Sequence, residues 1–163
     1  ISGSFINWEE MGKWMSEKLL KGRNTLPDET AAFIKDLTKD IADPKLKAKK
    51  IYEYMQQKTR YISVQVGVGG IQPIKASDVD RTSYGDCKGL ANYTQGLLNL
   101  VGIKSYYTIV EGEENLKESA LPDFASMNQF NHAILCIPFA NDTTWIDCTS
   151  KKKPFRLYWC IYR

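Results

Sequence analysis

A glycine-punctuated turn that runs straight into an apolar helix, Tyr84-Gly85-Asp86-Cys87-Lys88-Gly89-Leu90-Ala91-Asn92, is the stretch around which this chain is organised. Leu90, Ala91, Tyr93, Leu97, Leu98, Leu100 and Val101 recur at helical spacing, and Gly102 supplies a C-terminal stop. Asp86 is the expected N-cap, which puts Cys87 in the first turn. There the unpaired N–H groups and the positive end of the helix dipole stabilise a thiolate, lowering a thiol pKa from its usual ~8.5. Such a cysteine is placed to react. The same position also suits a small buried hydrophobe, the role of most free cysteines, and a lone Gly-x-Cys does not separate the two readings.

Length bounds the answer next, because 163 residues fit one domain with a substantial core. Hydrophobic content of 43% and charged content of 25% are ordinary for a globular chain, and no segment approaches the ~18 consecutive apolar residues of a membrane span. No membrane insertion is expected. A net charge of +3, with lysines scattered or in short runs such as 45–50 and 151–153, reads as a solvated face and argues against nucleic acid as a partner. Cys87, Cys136, Cys148 and Cys160 show no Cys-x-x-Cys spacing, and one histidine leaves a zinc site little to draw on. They leave room for one disulfide in an oxidising compartment. The opening Ile1-Ser2-Gly3-Ser4 has no signal-peptide pattern and reads as the boundary of a domain within a longer chain.

Upstream of the cysteine the pattern predicts three helices. Trp8, Met11, Trp14, Met15 and Leu19 face inward from the first, which ends near Gly22. The second covers 28–41, with Ala31, Ile34, Leu37 and Ile41 on one face. Asp43-Pro44 opens the third, which runs to about Lys58 with Ala48, Ile51, Tyr52 and Met55 inward. A short strand, 61–66, then precedes a loop containing Pro73. After the cysteine helix come a strand within 103–111, a polar surface loop over 112–127 and two further strands, 130–137 and 143–149. The cluster Pro138-Phe139-Ala140-Asn141-Asp142 turns these last two into an antiparallel hairpin. Helices first and a strand meander last make the fold class α+β, with 1–44 as N-terminal helices and 45–150 as the core of a single domain.

A thiol nucleophile needs a base within hydrogen-bond reach and a third group that orients the base. His132 is the only histidine and lies near the start of the first hairpin strand, while Asp147 is a carboxylate within the return strand. A loop of about four residues from Pro138 sets the two nearly opposite one another, whereas a two-residue Asn141-Asp142 turn sets them about four residues apart along the strands. The Cys-His-Asp reading therefore predicts the longer turn.

Three motifs together carry a resemblance: Gly85-Asp86-Cys87-Lys88 opening a helix that ends Leu100-Val101-Gly102-Ile103, then Asn131-His132-Ala133, then Trp145-Ile146-Asp147-x-Thr149. Over about 45–150 the chain resembles the transglutaminase-like core of the papain-like superfamily, most closely its bacterial cell-envelope branch, which the lead-in 61–73 also resembles. The resemblance implies acyl transfer through a thioester, with Cys87 attacking a carboxamide or peptide carbonyl, His132 protonating the departing amine and Asp147 holding the imidazole tautomer. Water as acceptor makes a peptidase or amidase, and an amine makes a cross-linking transferase. Gln65 offers an amide that would assist the Cys87 N–H at an oxyanion. Gly85 would permit a tight turn and Gly89 close packing of the helix start.

Two features depart from the family pattern: Cys148 stands where proline commonly follows the aspartate, and 151–163 has no counterpart. No Asp-x-Asp-x-Asp-Gly calcium loop is present, so no metal or other cofactor is expected. The implied partners are a peptide or protein substrate and a neighbouring N-terminal β-rich domain, in the periplasm or cell envelope. A rival reading from another class keeps the fold for binding peptide or cell-wall material, with Cys87 inert, or has a neighbouring domain complete or cover the cleft.

Overall fold

Asp43 caps the third helix as its position suggests, its carboxylate accepting from the Lys45 and Leu46 N–H groups, with Pro44 at the first helical position. The computed structural model describes residues 5–63, 70–112 and 120–156. Its helices are α1 (Trp8–Trp14), α2 (Asp28–Thr38), α3 (Pro44–Lys58), α4 (Ala76–Thr82) and α5 (Cys87–Asn99). The strands are β1 (Arg60–Tyr61), β2 (Tyr84–Gly85), β3 (Tyr106–Val110), β4 (His132–Phe139) and β5 (Asp142–Ile146). No helix among the described residues is long and apolar enough to cross a membrane.

The cysteine helix is the centre of the molecule. Leu90, Ala91, Tyr93, Leu97 and Leu98 are buried on α5, which packs against α3, α4 and the sheet strands β3 and β4. Burying each leucine stabilises the fold by about 1.5–3 kcal/mol relative to leaving it in water. From α3 come Ala48, Ile51, Tyr52 and Met55, all buried, and from β4 come Ala133, Leu135 and Ile137. The fold is α+β: an antiparallel sheet of order β3-β4-β5 with helices on one side, plus a short parallel pair of β1 and β2.

Several elements differ from the sequence expectation for identifiable reasons. The first helix is not uniform, because residues Met15–Leu20 form a π-helix continuing α1. Its buried residues Met11, Met15 and Leu19 are spaced four apart, more than the 3.6 of an α-helix, and the wider turn keeps them on one face. Helix α2 ends three residues early and buries Thr30, Ile34 and Thr38, so its inward face is rotated from the one marked by Ala31 and Leu37. Helix α4 falls within the stretch expected as loop, its seven residues being too few to show a period. Of the strand expected over 61–66, Tyr61 pairs in parallel with Gly85, and 64–66 lie outside the described residues.

The hairpin carries the most consequential difference. Phe139 pairs with Asp142 and Leu135 with Ile146, so the turn is the two residues Ala140 and Asn141. Neither of the two alternatives expected from sequence is formed, and the four-residue loop is excluded. β5 ends at Ile146, so Asp147 lies just past the return strand and not within it, and its carboxylate still reaches His132 Nε2 at 3.0 Å.

Candidate active site

Cys87 sits at the first position of α5, and its N-cap Asp86 accepts the Gly89 N–H at 2.8 Å. The Cys87 and Lys88 N–H groups that open the helix have no intrahelical acceptor. Asp86 alone would place a negative charge against the thiol, but Lys88 Nζ lies 2.5 Å from its Oδ2, and both side chains are nearly buried. The dipole and the lysine thus act on the sulfur with the capping carboxylate neutralised.

His132 lies at the N-terminal end of β4, where its Nε2 is 3.0 Å from Asp147 Oδ2. That contact occupies Nε2 and leaves Nδ1 as the ring nitrogen facing no carboxylate, and the imidazole lowers the pKa of the Cys87 thiol. Burial would raise the Cys87 thiol pKa, but the His132 hydrogen bond, the Lys88 charge and the Ala133 N–H outweigh it, and the net direction is down. Burial likewise works against the imidazolium, yet the bonds to Asp147 and Cys87 raise His132 to about 9. The thiol's downward shift and the imidazole's upward one both run in the direction of a thiolate–imidazolium pair.

Asp147 is buried and satisfied on every side. Its Oδ1 accepts from the Thr149 N–H at 2.9 Å and the Thr149 hydroxyl at 2.7 Å, and Oδ2 is shared by His132 and Lys153, the latter at 2.5 Å. Burial opposes ionisation, but these donors hold the carboxyl well below the usual carboxylate range. The Asp147 backbone carbonyl accepts from the Tyr52 hydroxyl at 2.7 Å, tying the end of β5 to α3. His132 and Asp147 are thus joined at the β4–β5 junction, and the imidazole acts on the thiol at the start of α5.

Neither a family model nor any curated protein matches this chain. Two solved structures do. It superimposes on a "putative protease" from Parabacteroides distasonis with a TM-score of 0.71 at 14% identity, covering 90% of this chain and 27% of that one. A "putative cysteine protease" from Cytophaga hutchinsonii matches with a TM-score of 0.54 at 18% identity, covering 80% of this chain and 42% of the other. This chain spans less than half the length of either protein, and at these identities the likeness is one of fold.

Lys88 and Lys153 are the charged partners that sequence reasoning passed over. For Lys88 the signal is its place two residues from Asp86 in the first turn of α5. Lys153 had no such signal, since its approach to Asp147 depends on the turn after β5 and on Phe155 packing against Tyr52. Gln65 lies outside the described residues. Cys148 is fully buried among core residues, and burial pushes its thiol up to about 12, so it contributes packing where the family pattern has proline. Cys136 and Cys148, like Cys87, are free thiols. Among the described residues no group of three His, Cys, Asp or Glu is placed to hold a metal ion.

Backbone room behind His132 is limited. A Cβ on Gly112 would stand 2.8 Å from His132 Cβ, too close for both to stay in place. Gly112→Ala is expected to displace the imidazole and lower the reactivity of Cys87 about tenfold or more, with a thermal midpoint within a few degrees of wild type. Comparing alkylation rate with circular-dichroism melting checks this, and an unchanged rate would show that His132 tolerates the shift.

Proposed function

We propose that this chain is a thiol-dependent acyl-transfer domain that hydrolyses peptide or carboxamide bonds, with Cys87 as nucleophile, His132 as acid and base, and Asp147 as the group that orients it. The observation that carries this reading is the His132–Asp147 hydrogen bond at 3.0 Å, with a thiol at a helix N-terminus whose pKa that imidazole lowers. The arrangement supports the transglutaminase-like, papain-like assignment made from the three motifs.

The Cys87 thiolate attacks the carbonyl carbon, a C–S bond forms, and the carbonyl oxygen takes up negative charge near the open N–H groups of α5. The C–N bond then breaks as the imidazolium of His132 passes its proton to the leaving amine. In the second half His132, now neutral, takes a proton from water, whose oxygen attacks the thioester and releases the acid and the thiolate. Asp147 stays ionised throughout and holds the ring by Nε2.

Turnover of acyl-peptide amides with and without an added primary amine tests the reaction. Release of the free acid, abolished by Cys87→Ala, is the expected result. Dominant transfer to the amine would make the protein a cross-linking transferase. Absence of both turnover and thioester would leave a peptide-binding module.

A further inference from the structure

Beside His132 opens a cavity of about 330 Å³, partly open to solvent and within the size range of ligand pockets. We propose that it is the subsite for a bulky apolar side chain of the acyl donor, with the N-terminal segment 5–20 as its outer wall. This rests on the thiol chemistry proposed above and names the class of substrate that chemistry acts on.

Position is the first argument. His132, Ala133 and Lys88, the residue that follows Cys87 on α5, line the cavity, so the space opens beside the helix start that carries the thiol. Chemistry of the walls is the second. Trp14, Leu19, Ile71, Tyr107, Ile109 and Phe130 supply apolar surface, and the charged lining residues are Lys88 and His132 alone among those described. Both are already paired, to Asp86 and Asp147. A cationic side chain would meet like charge and no carboxylate, and an anionic one would have to compete with buried partners, whereas an apolar one loses nothing on entry.

The outer wall is built as a separate unit. Met11, Met15 and Leu19 form an apolar cluster with β3 and Phe130, distinct from the core around α5. The segment is held across the site at the N-terminal end of α1, by the Phe5 N–H on the Ala125 carbonyl and the Trp8 indole on the Pro122 carbonyl, with Trp8 packed edge-on to Phe130. The π-helical residues Met15 and Leu20 line the cavity, and such wide turns recur at functional sites.

Two readouts on the whole chain test the subsite. The first is the ratio of Cys87 alkylation rates for N-benzyl-iodoacetamide and iodoacetamide at pH 6.5, set against the same ratio for glutathione. A ratio about tenfold above that of glutathione is expected, because one well-buried apolar group discriminates by roughly 10–200-fold. Ile109→Trp, which fills the space, and Leu20→Lys, which charges it, should each return the ratio to the glutathione value. The second readout does not need a reactive thiol: N-acetylphenylalaninamide should shift the Trp14 indole N–H resonance, and N-acetylglycinamide and N-acetylaspartamide should not. A glutathione-like ratio in the wild type, or a preference that survives both variants, overturns the subsite. An ordinary thiol at Cys87 with the Trp14 shift retained overturns the catalytic reading and leaves the apolar binding site standing.

Discussion

His132→Ala is expected to slow carboxymethylation of Cys87 at pH 6 by one to two orders of magnitude. An unperturbed thiol of pKa ~8.5 is only about 0.3% thiolate at that pH, whereas an ion-paired one is largely ionised, and the lower nucleophilicity of the stabilised thiolate recovers only part of that ratio. Removing the imidazole deletes the hydrogen bond and the charge that lower the Cys87 pKa and leaves burial, which raises it, opposed by Lys88 and the Ala133 N–H. The wild-type rate should therefore be nearly level from pH 6 to 8, and the variant rate should climb toward pH 9. With His132 raised to about 9, kcat/KM for hydrolysis should fall as pH rises through that value, because the acid that protonates the leaving amine is lost. Parallel climbing curves in both proteins would sink the ion pair, and with it the catalytic reading.

What the sequence made legible is local, and what it hid is long-range. The cap at Asp86, the first-turn cysteine and the inward face of α3 are written in neighbouring residues, and the structure places each where that pattern puts it. The meeting of His132 with Asp147 depended on register, and register depended on which residues of Pro138–Asp142 form the turn. Neither expected turn formed, yet the contact is made, because Asp147 follows the last residue of β5 and its carboxylate reaches the imidazole at the start of β4 from just past the strand. Helix α4 is hidden for a different reason, seven residues being too few for a period to emerge, whereas Met15–Leu20 are helical as expected and only their wider turns go unmarked. Lys153 shows the limit most plainly, since a lysine in a basic run looks like solvated surface until the chain folds back and sets it on a buried carboxylate.

Asp147→Ala is expected to lower stability at pH 7 by about 3–5 kcal/mol, the cost of breaking a buried pair and leaving its partner uncompensated. For a chain of this size that is a fall in Tm of roughly 10 °C. The pH dependence identifies the cause. The native carboxyl titrates below its unfolded value of ~3.9, so its contribution is complete above that pH and drains away as pH falls through the native pKa. The gap between wild type and variant should therefore narrow from pH 4 downward. His132 has the opposite sign: its raised pKa stabilises the fold fully below ~6.5, and that term is lost as pH rises through about 9. Without Asp147 the main support for the raised value is gone, so the alkaline decline should flatten as well. Asp147→Asn separates charge from shape, keeping an acceptor for the Thr149 N–H and the backbone carbonyl for Tyr52, and should lose less stability while still losing Cys87 reactivity at pH 6. Lys153→Met should cost under about 1 kcal/mol, because that ammonium is nearly half exposed and water screens it. Equal losses for Lys153→Met and Asp147→Ala in urea denaturation would mean that the lysine, and not the imidazole, is the partner for which the carboxylate is buried.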